Sequence, residues 1–191
     1  MDLIDLLHRA ATSIEPVLAR LAPSERERRT PCPEMTVAQV ADHLNGGLEG
    51  FAVVGEGGEL SFEPAADAVS DHVRPAERFR VAVDHLTAVF AQPGRLDATY
   101  RMPWGPTTGA QLIGFELIET IVHGWDVARG LGIEPVVDDD LAQATLDGAR
   151  MWVDESVRVP GMFGAEVATD STSPLDQLVA FLGRDPRWHD T

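Results

Sequence analysis

The stretch GAQLIGFELIETIVHGWDVARGL, residues 109–131, decides the fold. Apolar side chains recur at Leu112, Ile113, Phe115, Leu117, Ile118, Ile121, Val122, Trp125, Val127, Ala128 and Leu131, a spacing that predicts one long helix ended by Gly130 and Gly132. At roughly 100° per residue, Glu116, Glu119, His123 and Asp126 fall on a single stripe flanked by Leu112, Phe115 and Val127. Two readings are open. An amphipathic helix would show that stripe to water. A helix buried nearly all round would turn it into an internal seam, where unpaired carboxylates are costly and a metal ion or arginine partners are required.

Working outward, the same periodicity marks the neighbouring helices. Asp2 to Leu21 carries Leu3, Leu6, Leu7, Ala10, Ile14, Val17, Leu18 and Leu21 at spacings of three and four, with Pro16 expected to kink or break the helix. Pro31-Cys32-Pro33 forces an extended connector. Thr36 followed by Gln39 reads as a capping box, opening a helix through Val40, Leu44, Leu48 and Phe51 to the glycines at 55, 57 and 58. Residues 55–70, rich in Gly, Pro and acids, read as a loop.

A third helix runs from Pro75 to Gln92 and stops at Pro93-Gly94. Leu96 to Met102 is a strand candidate, followed by a turn around Trp104, and Thr108 caps the long helix. Asp138-Asp139-Asp140 opens a fifth helix toward Val157, at the end where the helix dipole favours negative charge. A loop over 160–173 precedes a short helix from Pro174 to Leu182. The expected architecture is all-α: one domain over 1–191, an antiparallel four-helix bundle with an additional short C-terminal helix and a short strand or hairpin near 96–102.

Composition narrows the function. The chain has 191 residues, 15 basic and 31 acidic side chains and a net charge of −16. Every basic residue is Arg, so a Schiff-base lysine, a lysine general base and a Walker-loop lysine are excluded. That charge repels nucleic acid, and the one basic cluster, Arg26, Arg28 and Arg29, is interleaved with Glu25 and Glu27. No apolar run spans a bilayer, the N-terminus lacks the basic start of a signal peptide, and the single Cys32 forms no internal disulfide, so a cytoplasmic protein is expected.

Glu119 and His123 are four apart and leave one face of the helix, so both can reach one metal ion. Spacing alone is weak evidence, because Asp185 and His189 share it. His43 supplies a third ligand if the second and fourth helices are neighbours, and Gly47 one turn on leaves room for the approach. His85 is the alternative, while His8, His72 and His189 read as exposed. Asp126 is placed to hold a ring N–H of His123 behind the ligands, or to pair with Arg129 as a surface carboxylate. Trp125 reads as core, and Cys32 as an inert thiol, a nucleophile or a fourth ligand. Two imidazoles and one carboxylate suit zinc first, with nickel, iron or manganese as alternatives.

Pro31-Cys32-Pro33, Thr36 to Leu44 with His43, and Glu119-Thr120-Ile121-Val122-His123-Gly124-Trp125-Asp126-Val127-Ala128-Arg129 resemble the DinB-like superfamily. The resemblance is greatest to the metal-binding N-terminal domain of mycothiol-dependent maleylpyruvate isomerases, and Phe181 to Trp188 is similar to the tail of a related actinobacterial metal-binding family. The resemblance implies a four-helix bundle, often dimeric, that holds a divalent metal through His43, Glu119 and His123. It also implies a low-molecular-weight, mycothiol-like thiol as partner. A length of 191 residues leaves no room for the further C-terminal domain of the isomerase. The expected function is therefore a metal-dependent thiol transferase, or related isomerase or lyase, acting on small electrophiles. A metal-dependent hydrolase and a non-catalytic metal-dependent binding or stress-response protein are the alternatives.

Overall fold

The computed structural model describes residues 2–33, 35–61, 74–155, 157–158 and 162–190. Among them it forms α1 (Leu3–Leu18), α2 (Val37–Gly55), α3 (Pro75–Phe90), β1 (Thr99–Met102), β2 (Gly105–Thr108), α4 (Gly109–Leu131), α5 (Asp139–Trp152) and α6 (Pro174–Phe181), with a 3-10 turn at Pro23–Glu25. The all-α reading stands. Pro16 does not break α1, because it falls in the last turn, and the helix ends two residues later instead of reaching Leu21. Likewise α5 stops at Trp152, short of Val157, where Val153 turns extended. Most of the loop expected over 55–70, His72 and the start of the 160–173 loop lie outside the described residues.

Capping sets where the two site-bearing helices begin. Thr36 accepts from the backbone N–H of Gln39, and the Gln39 side chain accepts from the Thr36 N–H. Thr108 and Gln111 repeat that box at the start of α4. These reciprocal bonds satisfy donors that the first helical turn leaves open. At the far end of α4, Gly132 takes the left-handed conformation, φ 70°, and closes the helix. The hairpin pairs Thr99 with Thr108 and Met102 with Gly105, so it feeds straight into the α4 cap. The strand or hairpin expected near 96–102 is thus present, with its second strand at Gly105–Thr108.

Helices α1 to α4 enclose one core, built around Leu7, Ile14, Leu44, Leu48, Phe79, Leu86 and Phe90. α1 packs on α4 and α3, and α2 packs on α3 and α4. Gly130 meets Val37, while Gly47 meets Glu116 nearer the start of α4, so α2 and α4 run antiparallel. Arg78 pairs with Glu49 and His85 with Glu56, so α3 runs alongside α2 in the same sense. The bundle is therefore not antiparallel throughout as expected, because the long α2–α3 connection removes the need for a tight reversal. A second core joins α4 to α5 and α6 around Trp125, Ile121, Leu146 and Leu178.

With a core on each side, α4 is enclosed nearly all round. Of the stripe, Glu116, His123 and Asp126 are buried and Glu119 is half-buried, so most of it is turned away from bulk water. Close approach on the α1 side depends on Gly124, where an added Cβ would stand 2.4 Å from Ile14. Among the described residues, no helix is long and apolar enough to cross a membrane. Replacing Gly124 with alanine forces α1 off α4. We expect Gly124→Ala to lower the unfolding free energy by about 1–3 kcal/mol, measured by urea titration, with helical content at zero denaturant unchanged.

Candidate metal centre

The seam between α2 and α4 gathers three sequence-distant groups. His43 on α2 places Nε2 3.4 Å from Glu119 Oε2, and His123 Nε2 lies 2.9 Å from the same oxygen. One ligand atom from each of the three lies within 4.8 Å of the other two. The imidazoles of His43 and His123 meet edge to face, with centroids 5.0 Å apart. The i,i+4 spacing of Glu119 and His123 does this locally, whereas His43 arrives through the packing of α2 against α4.

Burial is graded across the group. Side-chain exposure is 39% at His43, 27% at Glu119 and 8% at His123, so the site opens to the outside on the α2 side. Behind His123, Nδ1 stands 3.0 Å from Asp126 Oδ2. A neutral ring donates from Nδ1 to that carboxylate, which leaves the Nε2 lone pair free for the site. Asp126 does not pair with Arg129. It is fully buried and accepts from Arg184, Nη2 to Oδ2 at 3.0 Å and Nε to Oδ1 at 3.4 Å. Arg129 instead bonds Glu134 and lies over the Trp125 ring.

The electrostatics of the cation-free seam follow from this chain of charges. Burial works to lower the His123 pKa, but Glu119 and Asp126 outweigh it and raise it to about 9. Glu119 is opposed by burial, yet the two imidazoles hold its carboxyl well below the usual carboxylate range. Three donor atoms that converge in this way could hold one divalent cation. Two imidazoles and one carboxylate form the donor set of open zinc, iron or nickel sites, and leave coordination positions for an outside ligand.

The remaining candidates separate clearly. His85 pairs with Glu56 on the α2–α3 side and is not in the triad. His8 and His189 are exposed. Trp125 is fully buried in the second core. Cys32 groups with His123 and Asp126 and not with His43 and Glu119, and burial together with Asp126 pushes its thiol up to about 11. It therefore stays protonated and is a poor nucleophile. Two residues carry no role in the sequence reading. Arg184 locks Asp126 from the turn after α6, and Glu116 lies buried in the seam. Arg184 is visible beforehand only as part of the tail similarity, because nothing in its spacing points to Asp126.

The described residues form a helical-bundle protein in which His43, Glu119 and His123 converge, and comparison with known proteins gives its family. The chain belongs to the mycothiol maleylpyruvate isomerase N-terminal domain family, whose pattern matches residues 7–128. Uncharacterized proteins from two strains of Mycobacterium tuberculosis are 33% identical over 189 residues, covering 98% of this chain and 100% of theirs. A crystal structure of a mutant mycothiol-dependent maleylpyruvate isomerase shares the fold, with TM-score 0.52 and 12% identity over 76% of this chain and 68% of that one. A second crystal structure of that isomerase, TM-score 0.48 at 12% identity, covers 66% of this chain. The chain spans about 61% of its length.

The raised His123 pKa has a measurable sign. Its unfolded reference is 6.5, so in metal-free protein the stabilisation from the charged ring is fully present below that value and is lost as pH rises through about 9. We expect the thermal midpoint of metal-free protein to fall across this window. In Asp126→Asn the decline is smaller and ends at lower pH. A midpoint flat from pH 6.5 to 9 would contradict the assignment.

Proposed function

We propose that His43, Glu119 and His123 hold a divalent cation, zinc in first place, and that the protein is a thiol S-transferase or related isomerase or lyase. Its substrates in this reading are a low-molecular-weight, mycothiol-type thiol and a small electrophile. The observation that carries this reading is the convergence of the three donor atoms within 4.8 Å at a partly open seam. The family is the second support, since its name and that of the solved isomerase refer to mycothiol.

A divalent cation held there supplies Lewis acidity, lowering the pKa of a bound thiol so that sulfur is present as thiolate near neutral pH. The chain's own residues shape the rest. Glu119 cancels one of the two positive charges, leaving the site net positive and attractive to a thiolate. Asp126, anchored by Arg184, keeps the proton of His123 on Nδ1 and fixes the ring plane. The exposed edge of His43 marks the entrance for substrate. In the transfer, the sulfur lone pair forms the C–S bond, the leaving group departs with the C–X pair, and the thiol proton passes to solvent.

Elemental analysis of protein purified without a His tag tests the site directly. About one divalent ion per chain is expected, and it is lost in His43→Ala and in Glu119→Ala. Asp126→Asn is expected to lower stability, because buried Arg184 loses its counter-charge, and to weaken metal affinity about 10–100-fold. Catalysis is tested with mycothiol or bacillithiol and monochlorobimane. A rate no higher than that of the metal-stripped protein, across several thiols, overturns the transferase reading, and ester or amide cleavage without thiol would replace it with a hydrolase.

A further inference from the structure

One carboxyl in the same seam has no part in the scheme above. Glu116 is 2% exposed, and its Oε2 is buried without a hydrogen-bond partner, the one carboxyl among the described residues in that condition. It stands three residues before Glu119 on α4, opposite Gly47, which stands four residues after His43 on α2. The Glu116–Gly47 pair therefore extends the triad's seam by about one helical turn, ~5 Å. A Cβ on Gly47 would lie 2.8 Å from Glu116 Oε1, so the glycine is what lets the carboxyl lie against α2.

Among the described residues no arginine or other cation bonds to Glu116. A carboxyl buried without a charge partner is held in its neutral form, because an unpaired buried charge is costly. A neutral carboxyl has one O–H to donate. Buried polar atoms in native proteins mostly have partners. Asn45 Oδ1, Thr120 Oγ1, Trp125 Nε1 and Arg129 Nε also lack one here. Glu116 is set apart as the carboxyl among them, one turn from the triad, so an outside molecule bound there is its candidate partner. The location, one turn from the triad, says where that partner sits.

We propose that Glu116 is a specificity-determining residue, donating a hydrogen bond to a carbonyl or carboxyl oxygen of the molecule that binds at the triad. This rests on the cation reading above. The oxygen belongs either to the thiol or to the electrophile, and the shared chemistry is an acceptor placed about one helical turn from the cation site. Gln at this position retains a donor, whereas Met of similar volume does not.

The experiment uses full-length zinc-loaded protein, with zinc stoichiometry measured first in wild type, Glu116→Gln, Glu116→Met and Gly47→Ala. Binding of N-acetylcysteamine, which carries an amide oxygen, is compared with that of ethanethiol, which carries none. Thiol addition to acrylamide is compared in the same way with substitution on allyl chloride. We expect Glu116→Met to lose about tenfold for one oxygen-bearing probe and to leave its plain counterpart unchanged, with Glu116→Gln close to wild type. Loss in the thiol pair places the acceptor on the thiol, and loss in the electrophile pair places it on the electrophile. If Glu116→Met does not fold, Gly47→Ala, which pushes the carboxyl aside, gives the same contrast. Zinc bound at wild-type stoichiometry with neither contrast altered overturns the proposal and leaves the triad standing. Absence of zinc from wild type removes both.

Discussion

A row of ionisable groups sealed between two hydrophobic cores is the constraint on which the rest of this structure depends. α4 is packed by α1 and α2 on one side and by α5, with α6 in the same core, on the other. Glu116, His123 and Asp126 are therefore not solvated as a surface stripe would be. Each charge there has to be answered within hydrogen-bond reach. His123 is answered twice, by Glu119 and Asp126, and Asp126 is answered again by Arg184. The order of that chain runs from the partly open edge at His43 to the closed end at Arg184. Removing any inner member leaves a buried charge without a partner, which costs far more than an exposed pair contributes.

The same chain explains why the site is poised. Arg184 comes from the turn after α6, and it bonds Asp126 and the Leu182 carbonyl together. The second core therefore reaches through Asp126 to the ring of His123. Gly47 and Gly124 act differently, by letting α2 and α1 approach α4 closely, so that the seam is narrow where Glu116 sits and the outer layer fits. The contacts of Arg184 with Asp126 and of Asp126 with His123 fix the orientation of the His123 ring.

The helices were largely legible because capping boxes and apolar spacing are local. Thr36 with Gln39 and Thr108 with Gln111 mark starts that the structure reproduces, and Gly132 marks the stop. Misreadings came where local signals conflict. Pro16 is expected to disrupt α1, yet it sits in the final turn. Asp126 was left between two roles, because Arg129 is three residues away in sequence while Arg184 is near it only in space.

The sequence by itself determined that α4 carries a polar stripe in an apolar helix, since side-chain angle along a helix follows from residue number alone. It also set the Glu119–His123 pair, an i,i+4 relation within one element. Whether that stripe faced water or a seam was decided only by tertiary packing, because burial depends on what covers a helix and not on the helix. The meeting of His43 with the pair, the clasp of Arg184 on Asp126 and the enclosure of Glu116 are contacts between distant segments. Their distances are products of the assembled chain, to which no local spacing rule has access.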